Sequence, residues 1–354
     1  MHRPEGTAAV AVIVPVFNRL NLLRDTVDSL QAQTVADAEF ILVDDRSNEQ
    51  VRDYLASLEG RDSRFHVIRK PDEMERGAQS SRNAGLDAAK AESVVFLDSD
   101  DLLGPRCLEE RLQFLASNPE ADIVLGRQAM MWSPRTLNWV NVPRPGVGYL
   151  DRFLECAGEI DVPWINGGVL FRLERIRALG VRWRPEFHWD DLVFHIECLA
   201  AGMTAVAMSP DGPPDSYYLA HDEERYGSVL STSSGIINAA EMFNWLNTLL
   251  RAKGQLTEER RQALDRSFFH FCIRQPVETG DRDLAYRLLR RAVANGSLSA
   301  SNARRIKAYL ATDALRAFSS RLSAYSLELA RSTWLREFHP TRRATFATVP
   351  VVEG

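Results

Sequence analysis

AVAVIVPVFNRLNLLRDTVDSLQ, residues 9–31, sets the pattern that the rest of the chain repeats. Residues 9–17 are a continuous apolar, β-branched run, the kind buried on both faces of a parallel sheet. Asn18 can then cap a helix over residues 19–33, with Leu22, Leu23, Val27 and Leu30 on one side. Residues 39–43 read as a second strand, ending in Asp44-Asp45, before a helix over 49–58 and a short strand over 65–69. A helix over 77–90 leads into a strand over 93–97, which ends in Asp98-Ser99-Asp100-Asp101. A helix over 104–117 and a strand over 121–125 follow. Strands alternating with helices predict a doubly wound α/β fold, a mostly parallel sheet flanked by helices, with ligands gathered at the carboxyl ends of the strands. Both acidic clusters stand at such ends.

Beyond Met130 the pattern loosens into Trp, Pro and Gly (Trp132, Trp139, Pro143, Pro145, Gly146, Gly148), as expected of mixed strands and loops over a cleft. Helical periodicity returns at 190–201 and dominates from Ser234, with amphipathic stretches at 236–253, 257–273, 281–295 and 301–336. The last residues read as a flexible tail.

Composition fits a soluble globular protein: 354 residues, 45% hydrophobic, 26% charged, net charge −5. No apolar run approaches the roughly 18 residues of a membrane span, and Pro15 interrupts the N-terminal one, which reads as a buried strand and not a signal peptide. Cys107, Cys156, Cys198 and Cys272 lack any metal-ligand spacing and read as isolated thiols of a reducing compartment, so the expected location is cytoplasmic. From Asp281 onward 13 Lys+Arg face 6 Asp+Glu, leaving +7 there and −12 on the first 280 residues. Such a basic end is an ordinary solvated helical face, or a contact for anionic lipid on the inner face of a membrane, or a dimer surface.

Three carboxylates within four residues at 98–101 repel one another unless a cation sits among them. Hard oxygen donors on one turn suit Mg²⁺ or Mn²⁺, completed by substrate phosphates; a solvated helix cap would look the same. Asp44-Asp45 could accept a pyrimidine imide N–H or a ribose hydroxyl, or cap the next helix beside Ser47 and Asn48. Asp190-Asp191 opens a helical run, where the helix N-terminus tends to keep a carboxylate ionised; an acidic N-cap pair is the plainer alternative.

Taken together, VIVPVFNR, ILVDDRS and ERGAQSSRNAGLDAAKAESVVFLDSDD resemble, in order and spacing, the N-terminal half of family 2 glycosyltransferases, strongly over residues 9–125 and more weakly over 126–225. The resemblance implies the GT-A fold, a nucleotide-diphosphate sugar donor with UDP favoured, a divalent metal (Mn²⁺ or Mg²⁺), and inversion at the anomeric carbon. It places Pro15, Phe17 and Asn18 in the nucleotide pocket, Asp45 with Asp44 on the base, and Gly77, Arg82 and Asn83 near the donor. Asp98 and Ser99 would face the ribose or the metal's water shell, and Asp100 would bind the metal. Asp191 would be the catalytic base, with Asp190 in the place of the family's Glu. His221 matches a late histidine that reaches metal or diphosphate in some members. Trp164, Gly167 and Gly168 fall on the acceptor-side loop, where an aromatic face can stack on a sugar, although a core tryptophan would read identically.

These matches divide the chain into a catalytic domain over 8–230, with a nucleotide-binding half (8–125) and an acceptor half (126–230), a helical region over 231–340 and a tail over 341–354. The Gln-x-x-Arg-Trp motif of processive synthases is absent, so transfer of one or a few sugars is expected. The acceptor could be a saccharide, a lipid-linked glycan or a protein. A sugar nucleotidyltransferase would open with a Gly-rich phosphate loop after the first strand, and none is present. A non-catalytic nucleotide-sugar-binding scaffold would lack the metal Asp or the base, and both are here. No G-x-G-x-x-G supports a dinucleotide enzyme, and no motif supports nucleic-acid binding.

Overall fold

The computed structural model describes residues 8–132, 136–141, 148–156, 164–209, 211–220 and 232–318. His221 lies outside them, as do most of the basic tail and the side chains of Trp132, Trp139 and Cys156.

The first strand, β1 (Val10–Val16), is buried along almost its whole length and pairs in parallel with β2 (Ala38–Asp44) on one side and β4 (Ser93–Phe96) on the other. The strand β3 (Phe65–Arg69) extends the sheet beyond β2. Pro15 is tolerated because of where β4 stops. The Ile13 carbonyl accepts from Leu97 and the Val16 carbonyl from Asp45 on the opposite neighbour, so the Pro15 nitrogen faces the β4 side just past that strand's last paired residue. The full order is β10-β6-β9-β4-β1-β2-β3, where β6 is Ile123–Leu125, β9 Val169–Arg172 and β10 Ala205–Ala207. Only β9 runs antiparallel, between β4 and β6. The chain leaves β1 toward β2 and β3, then returns on the other side at β4. That reversal opens a crevice at the carboxyl ends of β1 and β4.

A second sheet, β5-β11-β7-β8, stands beyond those ends, built from β5 (Leu102–Leu103), β7 (Gln128–Trp132), β8 (Thr136–Asn141) and β11 (Ser216–Ala220). Asp101, 2% exposed, joins it to the acidic turn by accepting from the Leu219 amide at 3.1 Å. A buried Arg111–Asp215 pair (2.7 Å) fastens the helix α4 (Cys107–Ser117) to the start of β11, and the same guanidinium donates to the Gly167 carbonyl.

One sheet face packs on α1 (Leu20–Gln31), α2 (Glu49–Glu59) and α4. The other packs on α3 (Ala78–Ala88), α5 (Tyr149–Cys156), α6 (Leu173–Leu179) and α7 (Asp190–Ala200). That second apolar cluster continues without a break into α8 (Ser233–Ala252), α9 (Glu258–Phe268), α11 (Arg282–Ala294) and α12 (Ala300–Phe318). A π-helical turn (Phe269–Arg274) and the short α10 (Gln275–Glu278) link α9 to α11. The helical region thus packs on the sheet domain. Among the described residues no helix is long and apolar enough to cross a membrane.

One expectation fails locally. Asn18 does not cap the first helix: Asn18 and Arg19 both adopt left-handed backbone (φ 58° and 55°), and α1 starts at Leu20 with no side-chain cap. The Asn18 side chain instead accepts from the Asn48 amide at 2.9 Å, tying the loop after β1 to the loop after β2.

Where α3 crosses β1, Gly85 allows the contact, because a Cβ there would meet Ile13 Cγ2 at 2.4 Å. Gly85→Ala is expected to lower stability by about 1–3 kcal/mol through overpacking, despite alanine's helix preference. Gly60→Ala, with nothing within 4 Å of the new methyl, serves as the control. Urea midpoints measure both, and an unchanged midpoint for Gly85→Ala would show that the helix can move away.

Candidate active site

Arg82, on α3 and 4% exposed, joins the two acidic groups of the sequence. Its Nη2 donates to Asp98 Oδ1 and its Nη1 to Asp190 Oδ2, each at 2.5 Å. The guanidinium also lies 4.4 Å from the centre of the Trp183 ring. Burial would lower the Arg82 pKa, but the charges of Asp98 and Asp190 outweigh it and raise it further. The cation is therefore permanent, and it draws the turn after β4 and the start of α7 together, reaching across 108 residues of chain from Arg82 to Asp190.

Asp190 and Asp191 are half-buried. Burial pushes the Asp191 carboxyl up to about 6, the charge of Asp190 adds to that, and the Leu192 amide, donating to Oδ1 at 2.7 Å, opposes it. The Asp190 carboxyl is likewise raised by burial, against the pull of Arg82. This reverses the sequence expectation for Asp191: desolvation and a like charge outweigh the helix N-terminus. A carboxylate titrating near neutrality suits proton transfer.

Asp98 is 36% exposed at its side chain and Asp100 21%. Asp100 Oδ2 accepts from Arg19 Nη1 at 3.0 Å, an ion pair the sequence did not suggest. Ser99, between them, is half-buried. Among the described residues no three His, Cys, Asp or Glu side chains converge as a metal-ligand group. Two carboxylates at alternate positions of one turn do fit a hard cation whose other ligands are water and diphosphate.

Phe17 is 52% exposed just past the end of β1, unusual for a phenylalanine and suited to stacking on a flat ring. Pro15 is half-buried beside it. Asp45 is 6% exposed and held by three donors. Its Oδ1 takes Arg46 at 2.9 Å and Lys70 at 3.1 Å, and its Oδ2 takes the Gly77 amide at 2.7 Å. Burial raises its pKa, but these donors prevail and hold it below the usual carboxylate range. Lys70, which also reaches Ser81 at 3.2 Å, is a member of this cluster that sequence reading missed.

Several expected ligand contacts turn out to be internal ones. Asp44 is 3% exposed and accepts from the Ser47 amide within its own turn. Asn83 uses both ends of its carboxamide on the Trp183 backbone, at 2.8 and 3.0 Å, and so braces that segment. Trp164, 2% exposed, packs edge-on against Phe153 and Tyr149, so it offers no face for a sugar to stack on. Gly167 and Gly168 are packing glycines: a Cβ on Gly168 would meet Gln128 Oε1 at 2.9 Å, and one on Gly167 would meet Leu97 Cδ1 at 3.2 Å.

Because Asp191 titrates near 6 in the fold against an ordinary 3.8, the folded chain binds more protons than the unfolded chain between those values. Stability therefore falls as pH rises through that window. Asp191→Asn is expected to stabilise the protein above pH 6 by on the order of 1–3 kcal/mol and to leave it no more stable at pH 4. Thermal melts at the two pH values measure this, and equal destabilisation at both would contradict the strained carboxylate.

Residues 11–167 match the model of glycosyl transferase family 2, and residues 93–246 match that of glycosyl transferase family group 2. The poly(ribitol-phosphate) β-N-acetylglucosaminyltransferase TarP of Staphylococcus aureus is 35% identical over 132 residues, covering 36% of this chain and 39% of that one. The GalNAc(5)-diNAcBac-PP-undecaprenol β-1,3-glucosyltransferase of Campylobacter jejuni is 36% identical over 104 residues, covering 29% and 33%. The aligned stretch thus spans two fifths or less of these curated relatives. Among solved structures, S. aureus TarS in complex with UDP-GlcNAc superposes with a TM-score of 0.66 at 16% identity, over 86% of this chain and 88% of that one, a likeness of fold. Together with the GT-A arrangement of sheet and acidic turn, these matches make the chain similar to glycosyl transferase family 2 over residues 11–167, a little under half its length.

Proposed function

We propose that the chain transfers a sugar, with inversion, from a nucleotide diphosphate to an acceptor hydroxyl, with UDP as the favoured nucleotide. The observation that carries this reading is the Arg82 bridge, which sets a carboxylate titrating near 6 close to the acidic turn after β4. Asp191 takes the proton of the acceptor hydroxyl as its oxygen attacks the anomeric carbon, while the nucleoside diphosphate leaves on the opposite face. Asp98 and Asp100 would hold Mn²⁺ or Mg²⁺, and the bound cation would supply positive charge to offset that of a departing diphosphate. Asp190 keeps Arg82 beside the base. Phe17 stacks on the nucleobase, and Asp45 holds the Gly77 loop around it.

The relatives support a β-linked product: both are named for one, and a single displacement on an α-linked nucleotide sugar yields β. The TarS complex with UDP-GlcNAc supports UDP. On this reading residues 8–230 form the catalytic domain and residues 231–340 the helical region, whose described helices pack against it. The acceptor is a hydroxyl of a saccharide, a lipid-linked glycan or a protein, in glycan or glycoconjugate biosynthesis. The net positive charge from Asp281 onward suits an anionic membrane surface or a dimer contact, and a cytoplasmic location fits the free thiols of Cys107, Cys198 and Cys272.

Calorimetric titration with UDP, dTDP and GDP, each with Mn²⁺ and with EDTA, tests the donor. Metal-dependent binding of UDP is expected, and failure of all three to bind would favour a non-catalytic scaffold. With water as acceptor, UDP release from UDP-GlcNAc or UDP-glucose tests the chemistry. Asp191→Asn should slow it by about 10²–10⁴-fold while UDP affinity stays the same. Only the ionised carboxylate accepts a proton, so kcat/KM should rise with pH through about 6 and level off above it. Turnover near the parent rate in Asp191→Asn would remove Asp191 from the role.

A further inference from the structure

The segment from Arg184 to Trp189 delivers the Asp190-Asp191 pair to the start of α7, and it is clamped from two sides. On the sheet side, Gln79 Nε2 donates to the Phe187 carbonyl at 3.3 Å. On the helical side, Asn238 of α8 uses both ends of its carboxamide. Its Oδ1 accepts from the His188 amide at 2.8 Å, and its Nδ2 donates to the Glu186 carbonyl at 2.6 Å. Aromatic contacts flank this clamp: Phe187 lies 5.5 Å from Trp245 of α8, and Trp189 meets Phe271 edge-on at 4.6 Å. The Trp245 ring also carries the Arg184 guanidinium at 5.1 Å, and Arg184 is paired with Glu197 of α7 at 2.8 Å.

Phe271 sits in the π-helical turn Phe269–Arg274. Such turns are rare and recur at functional sites. The extra residue re-aims the side chains of that turn relative to an α-helix, and here one of them lands on Trp189. Trp189 is the residue from which α7 starts, and its carbonyl accepts from the Val193 amide at 3.0 Å. Any shift of Trp189 therefore tips Asp190 and Asp191 together. Arg82 cannot follow such a tilt, because Asp98 and the Trp183 ring hold it.

We propose that Asn238 and the π-helical turn, both in the helical region that follows the sheet domain, are positioning elements for the reaction, fixing where the Asp190-Asp191 pair stands at the head of α7. This rests on Asp191 being the base. Asn238 acts through backbone and touches no reacting atom. The clamp is directional: alanine loses both hydrogen bonds, whereas aspartate keeps an acceptor for His188 and loses the donor to Glu186.

The full chain is tested by UDP release from UDP-GlcNAc or UDP-glucose, whichever calorimetry shows to bind. Asn238→Ala should lower kcat about 10- to 100-fold with donor KM and UDP affinity within twofold, and Asn238→Asp should recover part of the loss. Ile237→Ala, on the exposed side of the same helix, should leave turnover unchanged. In the Asn238→Ala background, adding Asp191→Asn should cost far less than it does alone, because both remove one act. Should Asn238→Ala not fold, Phe271→Leu keeps apolar volume, loses the edge contact with Trp189, and carries the same expectation. Undiminished turnover in Asp191→Asn alone would overturn the base. A slow Asp191→Asn beside a fully active Asn238→Ala, or costs that simply multiply, would leave the base standing and overturn the positioning role.

Discussion

The structure turns on one buried cation. Two half-buried carboxylates from distant parts of the chain converge on the Arg82 guanidinium, with a third, Asp191, close behind. Without the guanidinium their repulsion in a poorly solvated site would push the turn after β4 and the start of α7 apart. With it, the first half of the chain, which carries the acidic turn after β4, is fixed against the second half, which carries Asp190 and Asp191. A fork with several donors in one plane can serve two carboxylates at once and still lay its face on Trp183, which a lysine could not do.

That convergence needs a rigid frame on both sides. The short strand β9 runs antiparallel between β4 and β6, so the turn at Asn166–Gly168 that leads into it stands at the carboxyl end of β4, beside the acidic turn. The apolar cluster on the same face of the sheet runs on into α8, α9, α11 and α12. Residues that would look like an appendage by order along the chain therefore share a core with the strands that carry the site. Removing the helices would expose the flank of α7 and the segment that leads into it.

The nucleotide-side half of the fold was legible in the sequence because its strands are unbroken apolar runs and its helices have clean periodicity. β1, β2, β3 and β4 lie within a residue or so of where the pattern puts them. The second sheet was not legible: β5, β7, β8 and β11 are short or mix polar and aromatic residues, and what defines them is pairing between distant segments. The site divides along the same line. Acidic residues at strand ends announce themselves, as do Arg82 and Asp191 through the family pattern. What each side chain touches does not. Asn83 and Trp164 carry the right chemistry for ligand contact, yet one braces backbone and the other fills the core. Lys70 and Asn238 carry no pattern at all, since a lysine ending a strand and an asparagine within an amphipathic helix are ordinary residues until the fold brings their partners to them.

Asp191 shows why such a site has to be held from outside itself. Its carboxylate is destabilised by the burial and the neighbouring charge that make it basic enough to accept a proton near neutral pH. Left to relax, the head of α7 would turn the carboxylate toward water and lose that basicity. The His195 side chain one turn later shows that this helix can be held dry: it sits 1% exposed among aromatic rings, its pKa pushed down to about 3 by burial and then by Arg82. A neutral histidine inside and a carboxyl of raised pKa at the rim are both consequences of burial along α7. The aromatic packing beneath the helix and the contacts from α8 and the π-helical turn beside it hold the head of α7 in that partly dry setting, and the burial is what raises the affinity of the Asp191 carboxyl for a proton.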